Sequence, residues 1–148
     1  MQVHRATLAD IDQIVPLFDA YRVWYGKPSD VELATDFLTE RLVRNESVIF
    51  LAKSNTETPA GFTQCYPMFS STRMRRMWVL NDLFVAPEYR SQGISKQIID
   101  ATKTLARSTD AVGVMLETEP TNEIGNRLYP RVGFERENNN FYFWTNEI

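Results

Sequence analysis

The sequence predicts an α/β (α+β) domain built on one mixed sheet flanked by helices. Three observations carry that prediction. Short apolar runs of strand length alternate with stretches whose apolar residues recur at helical spacing. Turn clusters punctuate the runs, and no repeat or low-complexity tract interrupts them. The 148 residues fit a single domain, 1–148, long enough for a real hydrophobic core.

The elements follow in order. "QVHRAT" alternates as a short first strand. Thr7 and Asp10 have capping-box spacing, and Ile11, Ile14, Val15, Leu17 and Phe18 give the first helix its apolar stripe. "GKPS" breaks that helix, and Ser29 with Glu32 form a second S-x-x-E start. Leu33, Phe37, Leu38 and Leu42 are the expected buried side of the second helix. "SVIFLAK", "AGFTQCYPMFS" and "RMWVLNDLFV" read as three strands, the last two as antiparallel neighbours. A third helix opens near Ser91, with Ile94, Ile98, Ala101 and Leu105 on one face. "VGVMLET" is a further strand, "NEIGNRLYPRV" a short helix ended by Gly133, and "FYFWT" a closing strand.

Composition excludes several classes. Hydrophobic residues are 43% and charged residues 24%, with a net charge of −3. That balance argues against nucleic acid or an anionic membrane surface as a partner. Cys65 is the single cysteine, so neither an internal disulfide nor a CxxC zinc or redox pair is available, and no metal site is expected. "MQVHRATLAD" lacks the apolar core of a signal peptide, and no apolar run approaches the roughly 20 residues that span a bilayer. A cytoplasmic location is the expectation.

The chemistry-bearing stretch is "VAPEYRSQGISKQIID", Val85 to Asp100. A helix start leaves its first N–H groups unpaired and carries about half a positive charge. An anion placed there meets several donors at once. Gly93 lets such an anion approach the backbone, Ser91, Gln92, Ser95 and Lys96 are candidate side-chain donors, and Arg90 is a candidate charged contact. A capped helix with nothing bound is the plain alternative. Neither G-x-x-x-x-G-K-[ST] nor G-x-G-x-x-G occurs.

Two blocks carry a resemblance. "NDLFVAPEYRSQGIS" is similar to the strand followed by R/Q-x-x-G-x-G/A that opens a long helix in the GNAT family of N-acetyltransferases, with Ser95 at the last small position. "NEIGNRLYPRVGF" resembles that family's N-x-x-A-x-x-L-Y-x-x-x-G-F, with Gly125 where alanine is common. The element order matches over nearly the whole chain. The resemblance implies a mostly antiparallel sheet, a bulged fourth strand, and a splay between strands four and five.

It also implies acetyl transfer from acetyl-CoA to a primary amine, here a small cationic amine by a loose likeness. Leu83, Phe84 and Val85 would offer backbone groups to the pantetheine arm. The amides of Gln92, Gly93, Ile94, Ser95 and Lys96 would hold the pyrophosphate, and Asn122 would bond CoA or simply cap its helix. A backbone N–H near Phe84 or Val85 would stabilise the oxyanion. Asp82 and Glu117 are the two candidate bases, though strand alternation can turn either into core or solvent. Tyr129 matches the general-acid position, or else packs its helix on the sheet. Tyr21, Trp24 and Tyr25 are candidate acceptor contacts, or else core and rim. A homodimer paired through the late aromatic strand is expected. A non-catalytic acyl-CoA sensor of the same fold is the alternative.

Overall fold

The computed structural model describes all 148 residues, Met1 to Ile148. The chain divides into two compact units, Met1–Glu117 and Thr118–Ile148, each described by itself.

The first unit contains the sheet. Strand β1 (Gln2–Arg5) leads through a 3-10 turn into helix α1 (Ile11–Trp24) and helix α2 (Val31–Val43). Strands β2 (Val48–Lys53), β3 (Pro59–Ser70) and β4 (Arg75–Val85) follow, then helix α3 (Ile94–Ser108) and strand β5 (Val114–Met115). Spatial order equals chain order, β1-β2-β3-β4-β5. The first four strands pair antiparallel, and β5 lies parallel to β4. A parallel neighbour needs a crossover, and α3 is that crossover.

The Thr7–Asp10 box forms as expected. The Thr7 N–H donates to the Asp10 carboxylate at 2.9 Å, and the Ala9 N–H donates to Thr7 Oγ1 at 3.3 Å. The second start differs. Asp30, not Ser29, caps α2, its Oδ1 accepting from the Leu33 N–H at 3.0 Å. Ser29 instead donates to Asp19 Oδ2 at 2.6 Å, and the Asp30 N–H donates to Asp19 Oδ1 at 2.8 Å. The buried Asp19 thus clasps the α1–α2 connection, and those two donors hold its carboxyl below the usual range. Leu33 is 56% exposed rather than buried; Ala34 and Leu38 are the residues that α2 turns inward.

The two faces of the sheet carry separate cores. Ile49, Leu51, Phe62 and Phe84 pack against Ile14, Val15, Phe18 and Leu38 of α1 and α2. Val48, Cys65 and Trp78 meet Leu105 and Ala106 of α3, while Ala52, Ala60 and Val85 meet Ile94 and Ile98. Ile94, Ile98 and Ile99 are almost wholly buried, each contributing about 2 kcal/mol relative to an exposed side chain.

The strand expected over "VGVMLET" shortens to two residues, because β5 leaves β4 after the pair Val79–Met115. In the second unit, helix α4 (Glu123–Arg131) is followed by Gly133 at φ 88°. The strand expected at "FYFWT" does not form, and Phe141, Tyr142, Phe143 and Trp144 are 68–86% exposed. Aromatic residues favour strands only where an edge accepts them, and residues 118–148 contain no strand to pair with.

Candidate functional site

The site is set by one extra residue. Gln64 pairs with Asp82 but Cys65 pairs with Leu80, so Asn81 is a β-bulge in β4. Side chains alternate along a strand, and a bulge shifts that alternation by one. Before Asn81 the even residue Trp78 faces α3. After it the odd residue Val85 faces α3, while Phe84 faces α1 and α2. Asp82 therefore shares the α1–α2 face with Phe84. Without the bulge it would share the α3 face with Trp78.

Asp82 is 3% exposed. Burial pushes its carboxyl above the usual range, and hydrogen bonds from Gln64, Tyr21 and Asn81 oppose that rise. Gln64 Nε2 donates to Asp82 Oδ2 at 2.7 Å, and Asn81 Nδ2 donates to Oδ1 at 3.0 Å. The Tyr21 hydroxyl reaches the same carboxyl from α1. A raised carboxyl held by oriented donors suits a general base better than an ordinary exposed aspartate. Burial also pushes the Tyr66 phenol up, with the Asp82 charge adding to it. Tyr66 thus stays protonated beside Asp82.

Tyr21 begins a file of rings. Its ring stands 4.9 Å from that of Tyr25, and Tyr25 stands 4.8 Å from Trp24, both edge-on. Tyr25 and Trp24 are 45% and 54% exposed. The three sequence-predicted aromatics therefore run from the Asp82 carboxyl to the surface at the end of α1.

The other half of the site is the edge of β4. The Val112 N–H bonds the Arg76 carbonyl and the Trp78 N–H bonds the Gly113 carbonyl, and the ladder ends at Val79–Met115. From Leu80 to Val85, β4 has β3 on one side and no strand on the other. The Ala86 N–H bonds the Ala60 carbonyl on the β3 side. Antiparallel alternation then turns the Phe84 peptide groups to β3 and those of Leu83 and Val85 to the open side. Arg90 Nε donates to the Val85 carbonyl at 3.0 Å, which places that carbonyl off β3. This corrects the expectation for Phe84, which contributes its ring to the core and no backbone group to the open edge. It also leaves Val85, not Phe84, as the free N–H for an oxyanion.

Beyond the edge, α3 starts at Gly93, whose φ of 78° is the left-handed region that favours glycine. Ser91 is left-handed too, at φ 61°. No side chain caps α3, so its first N–H groups are open to an anion. The expected side-chain donors are mostly engaged elsewhere. Gln92 Nε2 donates to the Glu88 carbonyl at 3.2 Å, Lys96 Nζ pairs with Asp100 at 2.6 Å, and Arg90 is turned back to Val85. Ile94 faces the core, and Ser95 is half-buried in the first turn. The backbone, not the side chains, makes this end of α3 suited to an anion. An open strand edge and an uncapped helix start, joined by eight residues, fit the pantetheine arm and pyrophosphate of a CoA thioester.

Glu117 lies two residues past β5 and is exposed, without the enclosure that surrounds Asp82. In the second unit Asn122 caps α4, its Oδ1 accepting from the Gly125 N–H at 3.1 Å while Nδ2 donates to Thr118 at 2.9 Å. Tyr129 is half-buried, edge-on to Phe134 at 5.9 Å, and a Cβ on Gly125 would come within 3.1 Å of its ring. Cys65 sits on the α3 face, 0% exposed, with burial pushing its thiol up to about 11. A covalent acetyl-cysteine has no support there. Sequence reasoning missed Gln64 and Tyr66. The available signal was the polar pair Thr63–Gln64, set between Phe62 and Cys65 in the middle of a mostly apolar strand.

Comparison with known proteins agrees with this geometry. The profile of the acetyltransferase (GNAT) family matches residues 12–134. The "Uncharacterized N-acetyltransferase YhfO" of Bacillus subtilis (strain 168) is 39% identical over 146 residues, 99% of this chain and 97% of that protein. An "Aminoglycoside N(6')-acetyltransferase type 1" of Salmonella typhimurium is 25% identical over 117 residues, 77% of this chain and 79% of that protein. A crystal structure of a "probable acetyltransferase" superposes with a TM-score of 0.91 at 40% identity, covering 100% of this chain and 98% of that one. With a bulged, half-opened β4 leading into a glycine-started helix, and with relatives matched over nearly its full length, the chain belongs to the acetyltransferase (GNAT) family.

Proposed function

We propose that the chain is an N-acetyltransferase that moves the acetyl group of acetyl-CoA directly to a primary amine. The observation that carries this reading is the β4 edge, opened after Val79 and continued by the uncapped, left-handed start of α3. Leu83 and Val85 would hold the pantetheine arm, and the amides from Gln92 to Lys96 the pyrophosphate. Bound there, acetyl-CoA supplies an activated acetyl thioester. The Val85 N–H is the donor placed to steady the charge that develops on the thioester oxygen.

The acceptor has to lose a proton before it attacks. A lysine-like amine with a pKa near 10.4 is neutral in only about one molecule in 10³ at pH 7. Asp82 takes the base role over Glu117 in this reading, because it alone is enclosed and held by oriented donors. The ring file of Tyr21, Tyr25 and Trp24 supports a cationic acceptor approaching from the α1 side. Similarity to an aminoglycoside N(6')-acetyltransferase supports an amine as acceptor class. Tyr129 carries the role of proton donor to the departing thiolate by family likeness alone.

Turnover of a panel of primary amines, followed as CoA thiol release, tests the activity; binding of CoA with no turnover on any amine overturns it in favour of a sensor. Gly93→Glu tests the placement. It adds bulk and negative charge where the phosphates approach and strains a left-handed position. Calorimetry is expected to show loss of acetyl-CoA binding in the folded variant, and unchanged affinity would refute the site.

A further inference from the structure

We propose that Tyr21 passes the acceptor's proton to Asp82, so that the buried aspartate works through a tyrosine hydroxyl rather than by touching the amine. The proposal rests on the acetyl-transfer reading above and deepens it. Asp82 and Gln64 are 3% and 0% exposed, so an amine at the surface meets neither. Tyr21 is half-buried, touches the Asp82 carboxyl through its hydroxyl, and carries the ring file to the surface on its other side. Of the groups that touch the carboxyl it is the one that carries a hydroxyl proton and also joins the ring file; Gln64 and Asn81 only donate amide N–H.

The proton count balances. The ammonium gives a proton to Tyr21 Oη as the Tyr21 hydroxyl proton moves to Asp82. Tyr21 ends as it began and Asp82 becomes neutral; the freed amine lone pair forms the C–N bond, the C–S bond of the thioester breaks, the second nitrogen proton passes to the departing thiolate, and Asp82 returns its proton to solvent before the next turnover. The cluster is built to accept that proton. Gln64 Nε2 donates to the carboxylate, while Gln64 Oε1 is buried with no partner. Turned about its last bond, the same amide offers Oε1 to the O–H of a protonated Asp82.

The groups facing Asp82 from each packed element agree with a one-proton role. Tyr66 on β3 stays protonated, Arg41 on α2 lies near enough to act on Tyr66, and Cys65 stays a thiol on the opposite face. None of them competes for the proton near neutral pH. Asn81 does not titrate and only donates.

The test compares wild type, Tyr21→Phe and Asp82→Asn, with acetyl-CoA and a primary amine, from pH 6 to the amine's own pKa near 10.4. At pH 7 both variants are expected to lose about a hundredfold in kcat. KM for the amine should change little. The deficit should close as pH rises, because an amine already neutral needs no relay, and the double variant should lose no more than either single one. A deficit that is the same at every pH, or confined to KM, overturns the relay while leaving acetyl transfer intact. Wild type that acetylates no amine overturns both. A second measurement needs no turnover: carboxyl NMR of Asp82 in wild type and Tyr21→Phe. Loss of a donor to the charged form is expected to move its titration upward, and an unmoved midpoint overturns the proposal.

Discussion

Cys65 and Asp82 sit almost back to back in neighbouring strands, one on each face of the sheet, and burial raises the pKa of both. The difference lies in what meets them. Cys65 finds the Thr102 hydroxyl at 3.6 Å, itself already donating to the Ile98 carbonyl at 3.2 Å, and the Thr63 hydroxyl, all enclosed beside the apolar α3 core with no path to the surface. Asp82 finds Gln64, Asn81 and Tyr21, and through Tyr21 a file of rings that ends at the surface. Desolvation alone makes an inert group. Desolvation with oriented donors and a path outward makes a group able to exchange a proton.

The strongest way to break this contrast is to strip a donor from Asp82. Gln64→Leu removes the 2.7 Å amide donor and leaves the buried carboxyl against an apolar group. We expect a loss of about 2 kcal/mol in urea unfolding at pH 7, together with most acetyl transfer. Unchanged activity and stability in the variant would mean that this donor does not hold the base.

A smaller effect sharpens the pH side of the contrast. Asp19 is also buried, yet donors from Ser29 and Asp30 hold its carboxyl low. Its folded value lies below its unfolded one, so its contribution is present above the ordinary carboxylate range and is lost as pH falls through the folded value. Asp82 has the opposite sign: its raised folded value favours the fold below the unfolded value, and that advantage is lost as pH rises through the folded one. Ser29→Ala should cost about 1 kcal/mol at pH 7 and progressively less as Asp19 becomes protonated. Denaturation at a series of pH values reads both; a cost that does not shrink in acid contradicts the clasp.

The smallest effect belongs to the other face. Cys65→Ala should cost about 1 kcal/mol and leave acetyl transfer unchanged, and the native thiol should resist alkylation until the protein unfolds. Rapid labelling of folded protein would contradict the assignment of Cys65 to an inert core.

Much of the fold was legible because its signals are local. The Thr7–Asp10 box, the stripe of α1, the apolar face of α3 and the glycine at its start each lie within a few consecutive residues, and each formed where the pattern put it. The second helix start was misread because two acceptable caps, Ser29 and Asp30, stand side by side, and only Asp19, ten residues before Ser29, decides between them. The closing strand was misread because "FYFWT" has strand composition, and composition does not supply a partner edge. Gln64 went unread because a polar residue in a strand says nothing of what stands across from it.

By itself the sequence determined the order of elements, the amphipathic faces and the two motif blocks, since periodicity and backbone preference act over neighbouring residues. Only the tertiary structure decided which carboxylate is enclosed, which peptide groups of β4 are open, and which tyrosine meets the aspartate. Those outcomes depend on register. Because Asn81 bulges, every later side chain of β4 faces opposite to the side that plain alternation along the sequence gives, and whether it bulges depends on pairing with a strand some seventeen positions away in the chain.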